Sequence, residues 1–234
     1  IALTLDGTGH GDDGTAWGGE VLKTDLHEYR RTAHLETIPL LGSEKALYDI
    51  RRLKFAIDSM NGTENHDFKD SEAAILEKLM TKSVRTSSFG RILDALSYSL
   101  EACSYRTYDG EPAMRLEPLL ARGKLVEGFE TETVNGIVRT ADLFHPSDER
   151  KEDIAYSIVY NIMSELVSSA VSEAGSSGIE YIGLTGGVSY NSTITRIFLD
   201  LVNRSGFKPL IHKEVPNGDG GVSIGQVAIA LKRL

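Results

Sequence analysis

The 234-residue chain holds one cysteine, Cys103, and one tryptophan, Trp17. A single thiol makes no internal disulfide and excludes a zinc finger or thiolate cluster within the chain. It fits a reducing, cytoplasmic setting. No apolar run approaches the roughly 18 residues needed to cross a bilayer, so no membrane partner is expected. The first residues, "IALTLDG", have no basic region and no cleavage signature, which excludes a signal peptide there. They read as a strand already under way, without an initiating Met, and the chain is expected to be a fragment of something longer. Positive charge is also scarce. Lys and Arg number 25 against 34 Asp and Glu, a net charge of -9. A broad nucleic-acid surface needs a basic stripe. The closest approach, Arg30/Arg31, Arg51/Arg52 and Lys54, is scattered and reads as solvated surface, so no nucleic-acid partner is expected.

What is present is an ordinary globular composition, 41% hydrophobic and 25% charged, in a length suited to one large domain. "IALTL" is a short apolar strand that ends at Asp6. The stretch 15–40 alternates imperfectly around Val21, Leu26, Tyr29 and Leu35 and reads as hairpin strands. Residues 44–60 read as helix. Ser71 is the expected N-cap of a helix carrying Ile75, Leu76, Leu79 and Met80. The run Thr86–Ser88 caps another, whose Phe89, Ile92, Leu93, Leu96, Leu100 and Cys103 share one face. Cys103 is therefore expected in the core. "YDGEPAMRLEPLLA" is a turn and a short helix. Asn135-Gly136 marks a hairpin. The longest helix is expected over about 152–174, closed by Gly175, with two adjacent apolar rows. The last sixty residues alternate strand, helix, strand, helix, which is an α/β unit. These elements make one compact α/β domain with a helical insertion at about 43–122.

Three glycine loops carry the chemistry. The first is "DGTGHGDDGTAWGGE", Asp6–Glu20, six of whose fifteen residues are glycine and four acidic. The second is "GLTGGVSYN", residues 183–191, and the third "PNGDGGVSIGQ", residues 216–226. In the second and third, glycines after a strand or in a loop open a helix, where backbone N–H groups approach an oxyanion. Neither fits a P-loop, since no Lys-Ser/Thr follows, and neither fits a dinucleotide fingerprint. Together they suggest a nucleotide cleft at the edge where strand ends gather, with a cation held by carboxylates of the first loop.

Six stretches in fixed order carry a resemblance: "LTLDGTGHGDDGTAWGGE", "HLETIPLLGSEKALYDIRR", "TSSFGRILDAL", "YDGEPAMRLE", "LTGGVSYN" and "NGDGGVSIGQ". They span nearly the whole chain. The sequence resembles the C-terminal part of the HypF family of hydrogenase-maturation carbamoyltransferases. That resemblance implies an ASKHA, ribonuclease H-like lobe (mixed sheet with flanking helices), related to the TsaD family that acts on tRNA. It implies transfer of a carbamoyl group from carbamoyl-adenylate, made from carbamoyl phosphate and ATP by a separate YrdC-like domain. The acceptor is the C-terminal cysteine of HypE, and the product leads to the cyanide ligand of nickel–iron hydrogenase. The expected metal ligands are Asp6 and Asp219, with zinc, iron or magnesium as the ion. Nucleotide binding is expected of Gly7, Thr8, Gly9, Gly186, Gly187, Asn191 and Gly218, and of Glu117 at the ribose.

The departures are as informative. The family's two metal-binding histidines, on an HHxAH-type helix, lie before residue 1. The histidines present, His10, His27, His34, His66, His145 and His212, form no HxxxH pair. The acylphosphatase, zinc-finger, YrdC-like and first-lobe parts of the family are absent from the sequence. The expected partners are therefore those upstream domains and a HypE-like acceptor. No catalytic residue is identified within the chain, which is expected to supply a nucleotide-binding lobe and to be inactive alone. Two other readings are a non-catalytic fragment that binds adenine nucleotide or a partner, and a TsaD-like transferase; the acidic balance counts against the second. Asp12 and Asp13 read as solvated turn residues, His10 as a wet loop histidine, and Arg91 as either a phosphate contact or a surface ion pair.

Overall fold

The computed structural model describes residues 1–233. Strand β1 (Ala2–His10) buries Leu3 and Leu5 and pairs antiparallel with β2 (Ala16–Thr24). The register shifts between Leu5 and Gly9, so Asp6, Gly7 and Thr8 stand outside the ladder as a bulge. β3 (Tyr29–Leu35) pairs antiparallel with β2 and completes the expected hairpins. After β4 (Ile38–Pro39) come α1 (Lys45–Tyr48), α2 (Arg51–Asn61) and α3 (Asp70–Leu79). The short strand β5 (Arg85–Thr86) precedes α4 (Phe89–Ser99) and α5 (Glu111–Arg122). A hairpin, β6 (Thr133–Val134) and β7 (Ile137–Val138), turns through Asn135 and Gly136, both with positive φ. Next are α6 (Lys151–Ser177), β8 (Tyr181–Thr185), α7 (Ser192–Arg204), β9 (Lys208–Leu210) and α8 (Val222–Arg233).

The main sheet runs β6-β7-β3-β2-β1-β8-β9, with β4 and β5 joined to it through β2. β1, β8 and β9 are mutually parallel neighbours, with Thr4 opposite Thr185 and Gly183 opposite Leu210. Their C-terminal ends therefore share one edge of the sheet. The core is built between this sheet and its helices. Ile158, Ile162, Met163 and Leu166 of α6 and Phe89, Ile92 and Leu96 of α4 are buried against it, and Cys103 is buried as expected. By length and composition α6 is apolar enough to cross a membrane. Its apolar rows are spent on the core instead.

Four local expectations are corrected. Ser71 lies inside α3, whose N-cap is Lys69; Asp70 already has its place in the first turn. Gly175 is an interior residue of α6, and Gly178, left-handed at φ 65°, closes that helix with its N–H on the carbonyls of Ala174 and Gly175. The helical stretch 44–60 is two helices broken at Asp49–Ile50. The Gly186-Gly187 loop opens a single 3-10 turn, Gly187–Tyr190, before α7 begins. The last helix forms as expected through Arg233, while Leu234 lies outside the described residues.

Candidate functional site

In parallel α/β sheets ligands bind outside the carboxyl ends of the strands. A cleft of about 340 Å³ lies at that edge here. Asp6 and Gly9 of β1, Thr185 at the end of β8 with Gly186 after it, and Gly218 and Asp219 before α8 line it. Asp6 and Asp219, at opposite ends of the chain, thus face one space.

The bulge that presents Asp6 is fixed from several sides. One carboxylate oxygen of Asp6 accepts the N–H of Gly7 at 2.7 Å. The Ser88 hydroxyl donates to the carbonyls of Asp6 at 2.6 Å and Gly7 at 2.8 Å, and also caps α4 by accepting the N–H of Arg91. Gly90 packs so closely that a methyl there would stand 2.7 Å from the Gly7 Cα. On the β2 side, Glu20 is buried and accepts the N–H groups of Gly18 and Gly19, both at 2.7 Å. It also takes the Ser87 hydroxyl and the Arg31 guanidinium, the latter at 3.0 Å. Burial still holds the Glu20 carboxyl above the ordinary range, against the pull of these donors.

Arg31 reaches outward as well. It pairs with Asp13 at 3.0 Å and lies over the Trp17 ring at 4.3 Å. Asp13 further accepts from the N–H and hydroxyl of Thr15 and from the Trp17 indole. Burial pushes its carboxyl up, but Thr15, Trp17 and Arg31 outweigh that and bring it to about 2. Asp13 is the exposed turn residue expected, and it also clasps the loop tip. Asp12 meets the hydroxyl of Tyr29.

The second and third glycine loops meet the first. Gly186 has φ +95°, and a Cβ there would lie 2.2 Å from the Leu5 carbonyl oxygen. Only glycine fits that approach. A Cβ on Gly187 would sit 3.1 Å from a carboxylate oxygen of Asp6, and one on Gly218 would sit 3.6 Å from the Gly187 Cα. The Gly186 N–H donates to Asn217 at 2.8 Å, tying the two loops together. Gly187 thus lies against the carboxylate of Asp6, with Gly218 packed on Gly187 from the other side.

Other expected residues stand further out. Asn191 caps α7, its side-chain oxygen accepting the N–H groups of Thr193 and Ile194 at 3.0 and 3.1 Å. Glu117 does not pair with Arg115 or Arg122 on its own helix. It accepts the N–H and hydroxyl of Ser192, at 3.3 and 3.2 Å, and so also sits at the start of α7. Thr8 donates to the Gly7 carbonyl at 2.6 Å within the bulge. Arg91 is buried, pairs with Asp94 at 2.9 Å and stands behind Gly7, so it is not a surface ion pair. Burial pushes the Cys103 thiol up, and the thiol donates to the Tyr105 carbonyl, consistent with core packing. His10 and His212 both line the cleft. Among the described residues no group of three His, Cys, Asp or Glu side chains is placed to hold a metal ion. Asp6 and Asp219 are two carboxylates lining one cleft, a donor chemistry that suits a hard cation.

Sequence reasoning missed Glu20, Ser88, Thr185 and His212. The first two support the site through contacts distant in sequence. Thr185, paired with Thr4 of β1, and His212, two residues past the end of β9, reach the cleft through the parallel arrangement of β1, β8 and β9.

The sequence profile described as carbamoyltransferase, Kae1-like domain, second subdomain matches residues 2–226. The chain belongs to this family. Among its relatives, a probable carbamoyltransferase HypF of Methanocaldococcus jannaschii is 40% identical over 99% of the chain, which covers 33% of that protein. The carbamoyltransferase HypF of Rhodobacter capsulatus is 31% identical over 99% of the chain and 32% of its own length. The crystal structure of full-length HypF in a phosphate- and nucleotide-bound form superposes with a TM-score of 0.88 at 29% identity, covering 99% of the chain and 39% of that structure. The T. kodakarensis HypF structure gives 0.84 at 30% identity, over 99% and 34% respectively. The chain thus spans about one third of the length of these carbamoyltransferases, and its fold is the ASKHA type, a mixed sheet with flanking helices.

Proposed function

We propose that this chain is the nucleotide-binding lobe of a HypF-type enzyme that moves a carbamoyl group from carbamoyl-adenylate to the C-terminal cysteine of a HypE-like protein. The observation that carries this reading is the convergence of Asp6, Asp219 and three glycine loops on one cleft at the ends of β1, β8 and β9. Asp6 and Asp219 would hold a divalent ion together with histidines supplied from outside the chain. The ion, when bound, offsets negative charge on the adenylate and polarises it as a Lewis acid. The chain's own residues do the positioning. The backbone around Gly187 and Gly218 carries no side chain, so phosphate oxygens can approach it, while the Gly186 N–H holds the Asn217 carbonyl. The Ser88 hydroxyl and the Glu20 carboxylate hold the bulge that aims Asp6. The nucleophile comes from the partner, in keeping with the buried, hydrogen-bonded state of Cys103.

The test is metal content together with ATP affinity, for the chain alone and joined to the upstream part of a HypF protein. The joined form is expected to bind both. Asp6→Asn or Asp219→Asn should lower metal content and weaken ATP binding at least tenfold. Unchanged metal content and affinity in both variants would sink this reading.

A further inference from the structure

His212 occupies a place that the proposed chemistry leaves unassigned. β9 ends at Leu210, which lies opposite Gly183 of β8. Continuing that parallel register by two residues sets His212 opposite Thr185, which itself lies opposite Thr4. His212 therefore stands at the same sheet edge as Asp6, and it lines the same cleft. Its ring is oriented: Nε2 is 2.9 Å from the Thr185 hydroxyl oxygen. That hydroxyl donates its own proton to the Asn217 carbonyl at 3.2 Å. Its oxygen is thus left to accept, Nε2 carries the hydrogen, and the lone pair falls on Nδ1.

The other groups at the cleft do not offer this. Glu20 already receives four donors. Asp6 and Asp219 are the proposed cation ligands. His10 has no hydrogen-bond partner for its ring among the described residues, so nothing fixes its direction. A base held in one orientation by a third group is the arrangement that activates a nucleophile.

We propose that His212 is the general base of the transfer step, an inference that rests on the function proposed above. Its Nδ1 takes the proton from the acceptor cysteine as sulfur forms its bond to the carbamoyl carbon. The bond from that carbon to the adenylate phosphate oxygen breaks, and AMP leaves with the electron pair. The imidazolium then returns its proton to solvent. Thr185 is a positioning residue in this scheme, and it acts through the ring.

The experiment uses a full-length carbamoyltransferase containing this chain, with its thiol acceptor and carbamoyl phosphate plus ATP as substrates. The groups that bear on His212 are Asp6 and His10 of β1, Glu20 of β2, Asp219 ahead of α8, and its own neighbours Lys213 and Glu214. His212→Gln should lower kcat by about 10²–10⁴-fold, leave the ATP Kd within about twofold, and remove the acid limb of the pH–kcat profile. Added imidazole should restore part of the rate to His212→Gly. Thr185→Val should lower kcat less and keep the acid limb. Wild-type kcat and an unchanged acid limb in His212→Gln would overturn the proposal. So would a tenfold loss of ATP affinity with the limb intact, which marks a binding role. Asp219→Asn, measured alongside, separates the two ideas: retained ATP and metal binding there refutes the cleft assignment itself, whatever His212 does.

Discussion

Glu20 shows how one buried carboxylate can fix a site without entering the chemistry. Its neighbour Gly18 faces the bulge in β1 and Gly19 pairs with Leu5 at the edge of that bulge, and its carboxylate accepts both of their N–H groups. Removing it strands those two donors and leaves the Arg31 guanidinium without its buried partner. Breaking a buried charged pair costs about 3–5 kcal/mol. Glu20→Ala should therefore lose about that much unfolding free energy in urea titration, and Glu20→Gln, which keeps one acceptor oxygen, should lose less. A loss below about 1 kcal/mol for the alanine variant would show that water replaces the carboxylate freely. Asp13 gives a pH prediction at the same scale. Its folded carboxyl sits at about 2, below its ordinary value of 3.8. A depressed carboxyl contributes stability above its unfolded pKa, and that contribution is lost as pH falls through the folded value. The clasp around Trp17 should hold from neutral pH down to about pH 4 and open as the pH approaches 2. Trp17 is the sole tryptophan, so its emission reads this directly. Asp13→Asn should abolish the acid transition, while a transition centred near pH 4 in the native chain would contradict the clasp.

At the scale of elements, the glycines fall into two kinds that the sequence alone does not separate. Gly186 is required by a neighbour: a methyl there would collide with the Leu5 carbonyl across the parallel pair β1–β8. Gly178 is required by its own backbone, left-handed and with open space around it. Gly178→Ala should cost about 1–2 kcal/mol, the ordinary penalty of a left-handed alanine. Gly186→Ala should cost more than about 3 kcal/mol, since strain and collision add. Thermal unfolding of both variants gives the comparison, and equal losses would show that the β1–β8 edge yields. This difference explains what could be read beforehand. Strand, hairpin and helix order followed from periodicity and from signals such as Asn135-Gly136. The end of α6 was misplaced because Gly175 and Gly178 look alike in sequence, and only the second has the left-handed φ. β4 and β5, two residues each, are too short to show any period. Asp6 and Asp219 were singled out through the family resemblance, and the structure brings both to one cleft. Glu20, bonded to Ser87, and Ser88, bonded to Asp6, were not, since those contacts close over 67 and 82 residues.

At the scale of the whole molecule, one element is out of keeping with the rest. α8 follows directly on the cleft, and its Val222, Ile224, Val227, Ile229 and Leu231 are all exposed. It packs on the 3-10 turn at Asp219–Gly221. Helices shorter than about 12–15 residues are marginal in water without a packed face. α8 has 12 residues, and 222–232 are all exposed, whereas α6 buries residues along most of its 27. Stability should therefore differ sharply between the two ends of this chain. Amide exchange in α8 should proceed with an opening free energy near zero, while the amides around Ile158–Leu166 should exchange only through global unfolding. The exposed apolar side chains should also drive self-association of the chain at high concentration. Val227→Glu with Leu231→Glu should suppress that association without moving the thermal midpoint, because neither side chain contributes to the core. Strong protection of α8 amides in dilute solution, where the chain is monomeric, would instead mean that α8 folds back onto the body. A lowered midpoint in the double variant would place that contact within the core's cooperative unit.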